Sequence, residues 1–258
     1  MAYTIFTVQD GVATLTFNRP EKYNSIHREM ALQIQAHLDT AQEEDSIRAL
    51  VITGEGKAFC AGQDLAEVVE PDGPPLKDIV TKHYNPIIRK ITSLKKPVIA
   101  AVNGVAAGAG ANIALNCDIV VAKKSATFIQ AFSKIGLIPD SGGTYILPRL
   151  VGYQKALAIT MLGDKISAVE AERMGMIYQF FEEESFEEGV QALAQKLAQM
   201  PTYGLALTKQ AYQLGAQNTL EQQLLVEGHL QTLAGQSYDY NEGVQAFLEK
   251  RKPSFKGK

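Results

Sequence analysis

Residues 97–117 read Pro97-Val98-Ile99-Ala100-Ala101-Val102-Asn103-Gly104-Val105-Ala106-Ala107-Gly108-Ala109-Gly110-Ala111-Asn112-Ile113-Ala114-Leu115-Asn116-Cys117, 21 positions without a charged side chain. The fold turns on how this run is read. Its length mimics a membrane span, and Gly104-x-x-x-Gly108 adds the small-residue spacing of packed membrane helices. Three features oppose a span. Asn103-Gly104 interrupts the run, Asn112 and Asn116 follow, and Gly and Ala outnumber Leu and Phe, so lipid insertion would be poor. A buried strand over 98–102, a tight turn and a packed helix over about 108–116 fit better.

Outward from this run the pattern repeats. Tyr3–Val8 and Val12–Phe17 alternate about Asp10-Gly11, a hairpin signal, and Asn18-Arg19-Pro20 then breaks the strand. Ile26, Met30, Ile34, Leu38 and Ala41 form a helical stripe over 26–44. Strands are expected at 49–53 and 119–122, a surface loop at Pro71-Asp72-Gly73-Pro74-Pro75 and a helix over about 77–94. Ser167-x-x-Glu170 reads as a capping box opening a helix that Gly175 closes. Strands alternating with helices predict an α/β layered fold. Beyond about residue 185 only helices are expected, at 186–199, 202–215 and 219–234. A core domain over 1–195 and a helical region over 196–258 follow, the latter packing on the core or on neighbouring subunits.

Composition narrows the function. Of 258 residues, 46% are hydrophobic and 21% charged, which excludes general disorder. A net charge of −3 argues against nucleic-acid binding by bulk charge. That charge is uneven: residues 250–258 hold five bases and no acid, leaving 20 bases against 28 acids elsewhere. Cys60 and Cys117 make no disulfide framework, and His27, His37, His83 and His229 show no ligand spacing, so no metal is expected. The N-terminus lacks a secretory pattern, and the chain is expected to be soluble and cytoplasmic, with no membrane partner.

Three glycine-bearing turns follow strand candidates: Phe59–Leu65, Asn103–Gly110 and Ile138–Thr144. Small residues at such turns let backbone N–H groups approach a ligand. Gly108-x-Gly110 fails as a dinucleotide fingerprint because Ile113 occupies the sixth position, and neither a P-loop nor a G-x-S-x-G elbow occurs.

Phe59-Cys60-Ala61-Gly62-Gln63-Asp64-Leu65 resembles the F-x-A-G-x-D-[LI] signature of the crotonase (enoyl-CoA hydratase/isomerase) superfamily. Asn18-Arg19-Pro20-Glu21-Lys22-Tyr23-Asn24 is similar to its N-R-P-x-x-x-N segment, and Lys96–Gly104 to its K-P-[VI]-I-A-A-[VI]-x-G. The likeness runs from about residue 5 to Arg251. It implies a spiral of repeated ββα units with a C-terminal helical region, assembly as a homotrimer or a dimer of trimers, and acyl-CoA thioesters as substrates. It also implies an oxyanion hole from the backbone N–H groups of Gln63 and Ala109, each such donor being worth about 3–4 kcal/mol.

The positions of the two hydratase glutamates hold Asn112 and Phe132, which disfavours hydration. Asp140 matches the catalytic aspartate of certain double-bond isomerases in the superfamily. Its other reading is an N-cap for the helix beginning near Ser141 or Gly142. With Phe132, Ile135, Leu137 and Ile138 around it, a raised pKa is expected. Within the superfamily, Asn103–Ala111, His83–Pro86, Phe132–Asp140 and Tyr240–Phe247 look most like the isomerases that rearrange ring-1,2-epoxyphenylacetyl-CoA to its oxepin in bacterial phenylacetate degradation. Such enzymes are linked to shifts of 3-enoyl to 2-enoyl thioesters as well. The resemblance further implies CoA contacts at Lys22, Ala61, Asp64, Leu65, Phe247 and Lys250, and an acyl pocket including Tyr84, Phe132 and Tyr145. It implies no cofactor beyond the CoA carried by the substrate. Competing readings are an enoyl-CoA hydratase, a Δ3,Δ2-enoyl-CoA isomerase of fatty-acid metabolism, and an inactive RNA-binding or scaffold protein of the same fold.

Overall fold

A computed structural model describes residues 2–258. The strands are β1 (Thr4–Gln9), β2 (Val12–Phe17), β3 (Ala49–Gly54), β4 (Ala58–Cys60), β5 (Val98–Val102), β6 (Val105–Ala107), β7 (Ile119–Lys123), β8 (Thr127–Ile129), β9 (Lys165–Ser167) and β10 (Gln179–Phe181). The α-helices are α1 (Arg28–Glu43), α2 (Leu65–Val69), α3 (Leu76–Asp78), α4 (Asn85–Ser93), α5 (Ala109–Leu115), α6 (Gly143–Val151), α7 (Tyr153–Leu162) and α8 (Ala168–Arg173). α9 (Phe186–Ala198), α10 (Thr202–Gly215), α11 (Leu220–Gly235) and α12 (Tyr238–Glu249) complete the chain.

Strands in the order β1-β2-β3-β5-β7-β10 form one sheet, and β4-β6-β8-β9 a second. Each repeat sends a strand to the first sheet, turns a corner and sends a short strand to the second: β3 then β4, β5 then β6, β7 then β8. This is the expected spiral of ββα units. β3, β5 and β7 pair in parallel, as do β4, β6 and β8. The corner between β5 and β6 is tight, since a Cβ on Gly104 would lie 2.2 Å from the Lys57 carbonyl oxygen of the repeat before.

The charge-free run reads as a strand because both of its faces are covered. Val98, Ala100 and Val102 enter the main core with α1 and α5, whereas Ile99 and Ala101 enter a second core with Phe186, Val190, Ala194 and Ala198 of α9. The division expected at 195/196 falls inside α9. No helix among the described residues is long and apolar enough to cross a membrane.

Five details depart from the expectations. β4, β6, β8, β9 and β10 have only three residues each, too few for a periodic signal. The helix expected over 77–94 contains a π-helical turn at Ile79–Tyr84 between α3 and α4. Pro86 has no N–H for the Lys82 carbonyl, which accepts from Gln35 Nε2 at 2.9 Å instead. Only half of the capping box forms: Ser167 Oγ accepts from the Glu170 N–H, while the Glu170 carboxylate turns to Arg173. A fourth C-terminal helix, α12, follows Ser237, whose hydroxyl accepts from the Tyr240 N–H. Finally, the basic end folds back. The Asp239 carboxylate, 2% exposed, accepts from the Lys256 and Gly257 N–H groups at 2.6 and 2.8 Å. Arg48 donates to the Met200 carbonyl at 2.7 Å and to the Phe255 carbonyl at 3.3 Å.

Candidate active site

β4 and β6 lie side by side, so the turns that follow them are neighbours. Gln63 is fixed from one side: the Ile26 N–H donates to the Gly62 carbonyl at 2.7 Å and the Asp64 N–H to the Ile26 carbonyl at 2.9 Å. In such a parallel bridge the N–H of the residue between them, Gln63, faces away from Ile26. Ala109 opens α5 after Gly108, whose φ of 53° suits glycine. As the first residue of a helix, Ala109 has an N–H with no intrahelical acceptor. Backbone contact joins the two turns: a Cβ on Gly110 would lie 2.3 Å from the Cys60 carbonyl oxygen, and one on Gly62 2.9 Å from that of Ala107.

The first turn is clasped by the Asn18–Asn24 segment. Arg19 pairs with Asp64 at 2.9 Å and donates to the Ser25 carbonyl at 2.6 Å, while Asn24 Nδ2 donates to the Glu55 and Ala58 carbonyls. Burial acts to raise the Asp64 pKa, but Arg19 and the Ala66 N–H outweigh it and leave the carboxyl below its ordinary value. Both the amide and the carboxylate of Asp64 are thus used within the chain, so the residue expected to touch CoA acts here as a lock on the turn. The Ala61 N–H is likewise given to the Tyr23 carbonyl. Leu65 and Lys22 are exposed beside the turn.

Asp140 lies in the turn before α6, and α5 holds that turn from beneath. Asn112 Nδ2 donates to the Asp140 carbonyl at 2.9 Å, and Asn116 Nδ2, one helical turn on, to the Ser141 carbonyl at 3.0 Å. Asn112 is fully buried, and its Oδ1 accepts from Gln130 Nε2 at 2.8 Å. The Asp140 carboxylate does not cap α6, whose N-cap is Gly142; it accepts from the Ser141 hydroxyl at 2.9 Å and interacts with its own backbone N–H. Burial raises its pKa above the ordinary value, opposed by that hydroxyl.

The apolar wall differs from expectation. Phe132 is buried, with its ring edge 3.8 Å from where a Cβ on Gly108 would lie. Ile135, Leu137 and Ile138 instead face outward, Ile138 being 81% exposed. Leu137 and Ile138 border an apolar cavity of about 430 Å³ with Leu147, Tyr153 and Met161. Tyr84 is fully buried. Tyr145 is half-exposed under the Arg149 guanidinium, 3.6 Å from its ring centroid, and is not brought to Asp140 by any hydrogen bond or ring contact among the described residues. Phe247 is 83% exposed on α12, which Lys250 ends in a left-handed conformation with φ 55°. Neither is joined to the glycine turns by a bond among the described residues. Backbone contact and the Asn112 tether thus bring the Gln63, Ala109 and Asp140 turns together, with Phe132 packed beside Gly108.

Cys60 beneath the first turn is no nucleophile, because burial pushes its thiol up to about 12. Among the described residues no cluster of three His, Cys, Asp or Glu side chains could hold a metal ion.

The pattern of the enoyl-CoA hydratase/isomerase family matches residues 7–258. The chain belongs to that family. Among its relatives, 1,2-epoxyphenylacetyl-CoA isomerase of Escherichia coli K12 is 50% identical over 261 residues, with 100% of both chains covered. The 2,3-dehydroadipyl-CoA hydratase of the same organism is 36% identical, again over 100% of both. A solved enoyl-CoA hydratase from Bacillus anthracis superposes with a TM-score of 0.93 at 32% identity, covering 100% of each chain. The crotonase fold expected from the motifs is therefore borne out, as is an acyl-CoA isomerase as the kind of enzyme.

Proposed function

We propose that the enzyme moves a proton between two carbons of an acyl-CoA with Asp140, across an enolate held by the Gln63 and Ala109 N–H groups. One observation carries this reading. The Asp140 carboxylate is not used as a helix cap, and its turn is held in place through its own backbone by Asn112. Asn112 cannot serve as a carboxylate base, and Phe132 makes the adjoining wall apolar, so the arrangement favours proton shuttling over activation of water. A raised pKa suits a group that must accept a proton and return it.

In a 3-enoyl thioester the carboxylate takes a proton from the carbon next to the carbonyl. The electrons delocalise onto the thioester oxygen, where the two N–H groups stabilise them. The same proton returns to the far carbon of the former double bond, giving the 2-enoyl product. A ring-1,2-epoxyphenylacetyl thioester requires the same shift. Breaking the carbon–carbon bond shared by epoxide and ring, with both carbon–oxygen bonds kept, enlarges the ring to an oxepin. Moving one proton from the side-chain CH₂ to the ring carbon one beyond the attachment point, the far end of the ring double bond there, then places a double bond in conjugation with the thioester. Nothing is added or lost. The relative named for epoxyphenylacetyl-CoA isomerisation supports this substrate, and with it a place in phenylacetate breakdown.

CoA lies along Lys22, Ala61 and Leu65 in this reading, with Phe247 and Lys250 closing over the nucleotide from a neighbouring subunit. The exposed apolar side chains Ile138, Tyr153, Met161 and Leu225 support a homotrimer or a dimer of trimers. The enzyme then works in the cytoplasm without a cofactor beyond substrate CoA. Asp140→Asn is expected to lower isomerisation of a 3-enoyl-CoA by a factor of about 10² to 10⁴ while CoA binding persists. Unchanged turnover in that variant would sink the assignment.

A further inference from the structure

Ser141 follows Asp140 in the turn before α6, is 2% exposed, and has a left-handed backbone with φ 52°. A side chain is strained there and a glycine is not, as Gly142 with φ 73° shows one residue on. Asn24 shares the left-handed conformation, and its amide bonds the Glu55 and Ala58 carbonyls. The Ser141 hydroxyl has a single partner among the described residues, Asp140 Oδ1 at 2.9 Å. Successive side chains diverge on a helix and point to opposite faces of a strand, so this contact depends on the turn. The turn itself is fixed from α5, since Asn112 Nδ2 holds the Asp140 carbonyl and Asn116 Nδ2 the Ser141 carbonyl. Strain of this kind, kept at a buried residue beside a functional group, points to a role for the side chain.

We propose that Ser141 is a positioning residue for Asp140: its hydroxyl grips Oδ1, fixes the plane of the carboxylate and leaves the second oxygen to take the substrate proton and return it. This inference rests on the functional reading above. Among the described residues, nothing donates to that carboxylate apart from the Ser141 hydroxyl and its own backbone N–H. No charged neighbour takes over the task. α5 carries no charged side chain, Arg149 of α6 donates to the Tyr145 carbonyl at 2.7 Å, and Lys134 and Lys155 are exposed. Burial keeps the Tyr84 phenol neutral. A hydroxyl donor stabilises the charged form of a carboxyl, and here it opposes the burial that raises the Asp140 pKa. Without it the carboxyl is more readily protonated, and a protonated carboxyl cannot accept the substrate proton.

The test is the pH profile of kcat/KM for a 3-enoyl-CoA, measured with the unsubstituted full chain, Ser141→Gly and Ser141→Ala. Glycine suits the left-handed backbone, so the first variant keeps the turn, while the second keeps the Cβ. In both, the acid limb is expected to move to higher pH. On that limb kcat/KM falls by about tenfold, the effect of one hydrogen bond to a charged group. At higher pH, where Asp140 is ionised in every chain, the loss narrows to what the freed carboxylate loses in orientation. A fall of the same size at every pH is what a merely structural role would give, and it overturns the proposal. A parental profile in Ser141→Gly overturns it too. Failure of the functional reading has a different signature: an Asp140→Asn variant as active as the unsubstituted chain, or an unsubstituted chain inert towards the 3-enoyl-CoA, refutes the proton-carrier assignment itself and Ser141 with it.

Discussion

At the scale of single residues, Asp140, the proposed proton carrier, bears a burial cost that depends on pH. Its carboxyl has a raised pKa in the folded chain, with burial as the main cause. Well above that value both folded and unfolded chains carry the charge, and the folded one bears the desolvation cost. Below the ordinary aspartate value of about 3.9 both are neutral and the cost vanishes. Stability is therefore lost as pH rises from the ordinary value through the folded one. Asp140→Asn should melt higher than the parent at about pH 7 and level with it at about pH 3, as thermal scans across that range would reveal; a variant no more stable at neutral pH contradicts the burial argument. Asp140 stands out as a candidate in the sequence through the superfamily resemblance, because the two hydratase carboxylates are replaced at Asn112 and Phe132. The role of Asn112 as the tether of the Asp140 turn was not legible, since 28 residues separate donor and acceptor. The same holds for Arg19 and Asp64, 45 residues apart, whose pairing explains why that segment carries an arginine at all.

At the scale of elements, burial decides what a sequence reveals. β3 and β5 are covered on both faces and read as apolar runs. The three-residue strands of the second sheet leave no period, yet they carry the turns where Gln63 and Ala109 lie. α12 was missed because only Asp239 and Ala246 on it are buried, too few for a stripe. Ile135, Leu137 and Ile138 were misplaced for the opposite reason: apolar residues next to a site need not point into it. The contact of α5 with the first turn tolerates no side chain at Gly110, where a Cβ would lie 2.3 Å from the Cys60 carbonyl oxygen and 2.7 Å from the Cys60 Cβ. Gly110→Ala must push α5 and the Ala109 N–H away from Gln63. Loss of one oxyanion donor predicts a fall in kcat of about 10² to 10³ with the circular dichroism spectrum retained, and near-normal kcat would contradict this use of the turn.

At the scale of the whole molecule, the basic end is a fastener as well as a charge. The Asp239 carboxylate and the Arg48 guanidinium hold residues 255–257 against the start of α10 and α12. Deleting residues 252–258 should cost about 2 kcal/mol, because water reaches Asp239 once the end is gone and recovers part of the loss. The shift in denaturant midpoint measures it, and an unshifted midpoint shows that the clamp carries no stability. Lys250 is kept in that truncation, so its proposed contact with CoA is left intact. The pairing of β4 with β6 has a different reach. Adjacent strands of any sheet lie about 4.8 Å apart, and successive turns of this spiral inherit that spacing. The gauge of the proposed anion cradle is consequently a property of the peptide ladder rather than of any side chain. Mutation can then rewrite the reactive groups above it without dismantling the clamp on the thioester, which is how a hydratase and an isomerase can share one chassis.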